Sequence, residues 1–227
     1  MAFALSATQL DALKRITTPT IANAVEVFNV RSRSEGFMLG EIRCILSELG
    51  TMVGHAVTAK IRAKDKPADG ASYARPKMWE YILSVPPPRV VVIEDLDPVP
   101  VGSFWGEVQG NIHKALACVG AVTNGGVRDL DEVRALGFHL FARQVLVSHA
   151  YVHVVEVGTP VTLGGLTVSS GDVVHGDQHG VMTIPSSIVD EIPAAVRKLE
   201  QDERAIIELC QSPEFSAEKL AALYAKR

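Results

Sequence analysis

The sequence predicts a mixed α/β domain with a helical C-terminal extension over about 187–227. Three observations carry that expectation. Segments with apolar residues at helical spacing alternate with short apolar runs bounded by turns, such as RVVVIEDL at 89–96. From Val152 to Pro185, β-branched residues are separated by Gly-Thr-Pro, Gly-Gly, Ser-Gly-Asp and Gly-Asp-Gln-His-Gly, which marks short strands joined by tight turns. After Ser187 two helical patterns close the chain, the first charged on one face. With 227 residues, no internal repeat and no long linker, the expectation is one domain over 1–227.

Taken in order, residues 7–15 read as a helix behind a Ser6/Thr8 cap region, with Leu10, Leu13 and Ile16 at helical spacing. TPTIANAVEVF starts a second helix after Pro19, its apolar face built from Ile21, Val25 and Phe28. VRSRSEGFMLG is a loop of turn formers and charges. MVGHAVTAKIRA reads as a strand, KDKPADGAS breaks it, and a helix is expected from about Tyr73 to Leu83. RVVVIEDL is a buried strand, DLDEVRALGF a short helix ending near Gly137, and HLFARQV another strand. The closing helices are expected over Ser187–Cys210 and Ser216–Ala225.

Composition removes several function classes. Hydrophobic residues make up 47% and charged residues 21%, enough for a substantial core. The formal net charge is −4 with Lys and Arg scattered, which argues against nucleic acid as the main partner. Cys44, Cys118 and Cys210 are far apart and have no metal-ligand spacing; Cys118 reads as a core residue of its helix. No signal peptide is evident, and no stretch approaches the ~20 apolar residues that span a bilayer. The expectation is a soluble cytoplasmic protein with no membrane partner.

The chain is organised around GEVQGNIHKALACVGAVTNGGVRD, residues 106–129. It reads as a helix start, an amphipathic helix, an apolar strand, a glycine turn, then Arg128 and Asp129. At Gly106, Glu107, Val108 and Gln109 a helix begins, so these backbone N–H groups lack intrahelical partners and can face a carboxylate or phosphate. Arg128 supplies a guanidinium for the same anion, and Asp129 a carboxylate for a hard cation. Two readings of the pair stand. In one, Asp129 caps the helix beginning at Leu130 and Arg128 is a surface charge. In the other, the pair lies just past a strand's C-terminal end, where open α/β sheets bind ligands.

Other candidates read as structural. His175, Asp177 and His179 would share one face of a continuous strand and could then hold zinc, but Gly176 and Gly180 interrupt them and DQHG signals a turn. His113 sits mid-helix and reads as packing or solvated, and His153 reads as a structural residue in a strand-like run. The sequence has no G-x-S-x-G elbow, P-loop or dinucleotide fingerprint.

WGEVQGNIHKALACVGAVTNGGVRD, FARQ and TLGGLTVSSGDVVHGDQHGVMTIP resemble the family named for regulator of ribonuclease activity A (RraA-like), which includes the 4-hydroxy-4-methyl-2-oxoglutarate and 4-carboxy-4-hydroxy-2-oxoadipate aldolases. The likeness runs from TPTIANAVE and GHAVTAK to the C-terminal helices. This chain departs from the family's commoner text at Glu107-Val108-Gln109, Asn124-Gly125 and Ser170-Gly171-Asp172.

The resemblance implies an αββα sandwich with a swivelling-type β/β/α core, assembled as a homotrimer or a hexamer with clefts near subunit interfaces. It implies a class II aldolase that releases pyruvate from a 4-hydroxy-2-oxo dicarboxylic acid and decarboxylates oxaloacetate on the side. Carried over by position, the amides of Gly106, Glu107, Val108 and Gln109 bind the pyruvate carboxylate and Arg128 the pyruvate moiety. Asp129 is the ligand for Mg²⁺, Mn²⁺ or another divalent metal. Beyond what the resemblance implies, the chemistry suggests that Glu107 would hold a metal-bound water, that a metal-bound water or hydroxide would take the substrate hydroxyl proton, and that Glu203 would reach a neighbour's site in an oligomer. Two alternatives carry over too: a regulator that binds a ribonuclease without catalysis, and another lyase, hydratase or tautomerase acting on a 2-oxo acid.

Overall fold

The computed structural model describes residues 3–68 and 75–225. Helix α1 (Ala7–Lys14) starts at a reciprocal cap, with Ser6 Oγ accepting from Gln9 N and Gln9 Oε1 accepting from Ser6 N. Helix α2 (Thr18–Val27) carries Pro19 inside its first turn, where a missing N–H costs nothing, so it begins before the proline. Strands β1 (Arg43–Cys44) and β2 (Met52–Arg62) follow, then α3 (Arg75–Ser84); the expected start at Tyr73 lies outside the described residues. Next come β3 (Arg89–Asp95), β4 (Ser103–Trp105), α4 (Glu107–Ala115), β5 (Cys118–Val127), α5 (Leu130–Leu136) and β6 (His139–Val145). The turn-rich block resolves into β7 (His153–Val157), β8 (Val161–Leu163), β9 (Leu166–Val168), β10 (Val173–Asp177) and β11 (Gly180–Ile184). Helices α6 (Ile192–Gln211) and α7 (Ala217–Tyr224) close the chain.

Seven strands run in the order β1-β6-β5-β3-β2-β10-β11, with β4 on the end of β5 and β7 on the end of β2. The centre, β6-β5-β3-β2, is parallel, and β1, β7, β10 and β11 join antiparallel. Strand β3 is buried on both faces. Val91 and Ile93 pack with α3, α5 and Trp105, whereas Val90 and Val92 pack with Phe141, Val161 and Val174. The sheet curls strongly enough that a Cβ added to Gly176 on β10 would lie 2.9 Å from the Phe141 ring on β6. A third cluster seats α1, α2 and α6 on Val53, Val173 and Met182. The result is a mixed α/β fold with a near-barrel sheet, the class expected from the sequence.

Two local readings change. Cys118 does not belong to the helix; it opens β5, where burial pushes its thiol up to about 12. Asn124-Gly125-Gly126 is not a turn but part of β5, which continues to Val127 across an irregularity between Thr123 and Gly126. There the Asn124 side chain stands in for a neighbouring strand: Oδ1 accepts from Asp95 N at 2.7 Å and Nδ2 donates to Asp95 O at 3.0 Å. Glycines let the bulged strand pass close to its surroundings, since a Cβ on Gly126 would overlap Leu146. Among the described residues no helix is long and apolar enough to cross a membrane.

Candidate active site

The corner between β4 and α4 is held from below by aromatic packing. Trp105 is 1% exposed and sits edge-on to Phe104 at 5.2 Å and to His113 at 4.7 Å between ring centroids, with Phe138 beneath. His113 is therefore a core residue. Its Nδ1–H donates to Gln109 O at 2.8 Å, and burial drives its pKa down to about 4, so the ring is neutral. This anchors the first turn of α4 from inside.

Gly106 is the residue before that turn, and its backbone is extended at φ −169°, a conformation open to any residue. Proximity explains the glycine instead. A Cβ there would overlap Asp129 Oδ2 and lie 3.2 Å from Arg128 Cγ. Asp129 adopts a left-handed backbone, φ 52° and ψ 48°, which costs a non-glycine residue roughly 1–2 kcal/mol, less for Asp than for most. That twist turns its carboxylate away from α5, where it makes no side-chain cap, and onto α4. Oδ2 accepts from Glu107 N at 3.0 Å. Asp129 thus caps the wrong helix by sequence and the right one by geometry, so the simple cap reading fails. Arg128 is fixed through its own N–H, which donates to Trp105 O at 3.0 Å, and its Nε lies 3.8 Å from Asp129 Oδ2.

These residues line one wall of a cleft of about 540 Å³. Gly106, Val108, Gln109, Arg128 and Asp129 all meet there. Among the described residues, no acceptor takes the N–H of Gly106, Val108 or Gln109, so these amides and the helix dipole remain available to an anion. Glu107 differs from expectation: its amide is already taken by Asp129, and its exposed side chain is not part of the lining. Glu203 lies on α6 and lines neither wall of this cleft.

The rest of the lining comes from the segment between β6 and β7, with His149 and Tyr151, from His153 at the start of β7, and from Arg75 of α3. Sequence reading passed over His149, Tyr151 and Arg75, and read His153 as a structural residue. The available signal was HAYVH after HLFARQV, three polar rings at a spacing of two, which place their side chains on one side of an extended chain. The H-x-D-x-H group is structural. His175 is buried between Thr18 Oγ1 at 3.0 Å and Leu13 O at 3.1 Å, and Asp177 accepts from Thr18 N at 2.8 Å and His179 N at 2.9 Å around the hairpin turn.

Residues 18–183, the span that carries every cleft residue, match the family described as "RraA-like: Aldolase/RraA". The chain belongs to the RraA-like family. Among RraA-like relatives, it is 26% identical over 161 residues to the "Putative 4-hydroxy-4-methyl-2-oxoglutarate aldolase" of Halalkalibacterium halodurans, covering 70% of this chain and 72% of that protein. It is 24% identical to protein DlpA of Legionella pneumophila over 65% of this chain, a stretch that spans only 23% of DlpA. The RraA-like fold is shared with Streptomyces coelicolor RraAS2, a member of the RNase ES inhibitor RraA family, at TM-score 0.70 and 21% identity over 89% of this chain and 96% of that one.

Proposed function

We propose that this chain is a divalent-metal-dependent aldolase that cleaves a 4-hydroxy-2-oxo dicarboxylic acid such as 4-hydroxy-4-methyl-2-oxoglutarate to pyruvate, with oxaloacetate decarboxylation as a side activity. The observation that carries this reading is the left-handed Asp129, which sets a carboxylate and the Arg128 guanidinium against the open amides at the start of α4. An anion, an enolate oxygen and a cation each find a complementary group within one cleft.

A Mg²⁺ or Mn²⁺ ion suits this donor set. Among the described residues no cluster of three or more His, Cys, Asp or Glu could hold a metal ion, which disfavours a protein-caged zinc. Magnesium keeps several waters and needs one or two carboxylates. Asp129 is the carboxylate that lines the cleft, 37% exposed, with Oδ1 free of any described partner. Bound there, the ion would act as a Lewis acid on the 2-keto group. The protein's own contribution is electrostatic. The amides of Val108 and Gln109 orient the substrate carboxylate, and Arg128 holds positive charge where the enolate oxygen develops. The arrangement costs no reorganisation during the reaction because Trp105 and the β4–α4 corner already fix it.

Assembly as a homotrimer or hexamer belongs to the same proposal. Val108, which lines the cleft, and Val147, in the connection after β6, are 68% and 96% exposed, apolar surface that a neighbouring copy would cover. Three free cysteines suit a cytoplasmic setting.

The deciding measurement is pyruvate release from 4-hydroxy-4-methyl-2-oxoglutarate and from oxaloacetate, with Mg²⁺ and then with EDTA. Metal-dependent release from both is expected. Release from oxaloacetate alone would retain the enolate chemistry with a different substrate. Release from neither would overturn the reading in favour of a ribonuclease-binding role, tested by pull-down, or of a lyase, hydratase or tautomerase acting on another 2-oxo acid.

A further inference from the structure

Aldol cleavage requires a base for the C4 hydroxyl proton, and the Arg128–Asp129 wall offers none. Asp129 Oδ2 already accepts from Glu107 N and faces the Arg128 guanidinium, and the cation proposed above would claim the remaining oxygen. Glu107 directs its side chain outside the lining. Elsewhere in the lining, Arg75 presents a guanidinium, which has no lone pair to take a proton, and Tyr151 a phenol. Among the side chains that line the cleft, imidazole is the remaining base, and two rings are present.

Both rings donate from Nδ1 to a backbone carbonyl and both line the cleft, and what separates them is how each is anchored in the fold. His149 is exposed in the connection over 146–152, outside any strand, and its Nδ1–H donates to Ala150 O at 2.7 Å. His153 instead opens strand β7, half-buried and registered against Arg62 of β2. Its Nδ1–H donates to Tyr151 O at 2.8 Å. A neutral imidazole that donates from Nδ1 carries its lone pair on Nε2. No described residue takes that Nε2, and the ring lines the cleft. The backbone carbonyl therefore sets the tautomer a base needs.

We propose that His153 is the general base of the reaction assigned above, so this inference rests on the aldolase reading. His153 Nε2 removes the proton from the C4 hydroxyl. The C4–O electrons form a carbonyl, the C3–C4 bond breaks, and its electron pair becomes the C2–C3 double bond of the pyruvate enolate. Water protonates C3 of the enolate, as it does after decarboxylation, and the imidazolium gives its proton to the hydroxide left behind, which yields pyruvate and restores neutral His153. For 4-hydroxy-4-methyl-2-oxoglutarate the other fragment is a second pyruvate, so atoms and charge balance with no co-reactant.

Oxaloacetate makes the test sharp, because losing CO₂ gives the same enolate without a hydroxyl proton to remove. Pyruvate release from both substrates with Mg²⁺ would be measured for the wild type, His153→Gln, His153→Asn and His153→Ala. Oxalate binding by calorimetry supplies a readout that does not depend on turnover. Aldol cleavage is expected to fall at least ~100-fold, as for loss of a general base. Oxaloacetate decarboxylation and oxalate affinity should stay within about threefold, and free imidazole should restore part of the aldol rate in His153→Ala. Equal loss on both substrates, or unchanged aldol cleavage, would overturn the assignment. If the wild-type protein decarboxylates oxaloacetate but never cleaves the hydroxy acid, the aldolase reading and this role fall together, a pattern distinct from a selective defect in the variants.

Discussion

At the scale of single residues, the site depends on one contact made possible by one missing atom. Gly106→Ala places a Cβ into the Asp129 carboxylate and must push Asp129 or the start of α4 aside. We expect such overpacking to cost about 1–3 kcal/mol, with a larger loss of turnover than of stability; melting temperature and rate measured together check this. Asp129→Ala should abolish metal-dependent turnover, and Arg128→Ala should lower it at least ~100-fold while the far-UV circular dichroism stays native. Near-wild-type rates in either variant would remove the pair from the chemistry. The pair was legible in the sequence because a strand end, a helix start and an Arg-Asp step lie close together in the text. What could not be read was the left-handed backbone at Asp129. Nothing in a leucine-preceding aspartate distinguishes capping its own helix from capping another.

At the scale of elements, periodicity worked where one strand or helix decides its own pattern and failed where a neighbour decides. Strand β3 and helices α1, α2 and α5 follow their apolar spacing closely. Asn124-Gly125-Gly126 misled because these residues are turn formers locally, and only the pairing of β5 with β3, β4 and β6 holds them in a strand. The Asn124 side chain replaces two backbone partners of Asp95. Asn124→Ala therefore leaves a buried N–H and C=O unpaired, and a loss of roughly 2–4 kcal/mol is expected, read by denaturant melts. The second wall of the cleft escaped sequence reading for a related reason. His149, Tyr151 and His153 gain meaning only once β7 pairs with β2 and brings them opposite Arg128.

At the scale of the whole molecule, buried titratable groups give stability a pH dependence of predictable sign. Burial holds His113 and His139 near 4, below the ordinary histidine value of 6.5. Between those values the unfolded chain binds more protons, so stability falls as pH falls. Asp95 acts in the opposite direction. Burial raises its carboxyl to about 6 from 3.8, and its Oδ2 has no partner among the described residues. Its contribution is complete below about 4 and is lost as pH rises through 6. The two histidines together outweigh the one carboxyl, so the melting temperature should drop between pH 6.5 and 4.5. Asp95→Asn should steepen that slope and His113→Phe should flatten it, whatever each does to stability at pH 7. The curled sheet that buries these groups also brings the two walls of the cleft together from separate parts of the chain.

The bond from Asp129 to the start of α4 also sets an order of events. Through that bond the protein supplies its own anion to the helix end, so an incoming carboxylate would meet a terminus already partly neutralised. A cation bound to the other Asp129 oxygen, as proposed above, would draw charge from that carboxylate and so weaken its hold on the Glu107 amide. Cation and anion then assist one another, and by reciprocity each tightens the other by the same factor. On the function proposed above, a free carboxylate would meet a helix end partly neutralised by Asp129, whereas one arriving with a metal ion would not.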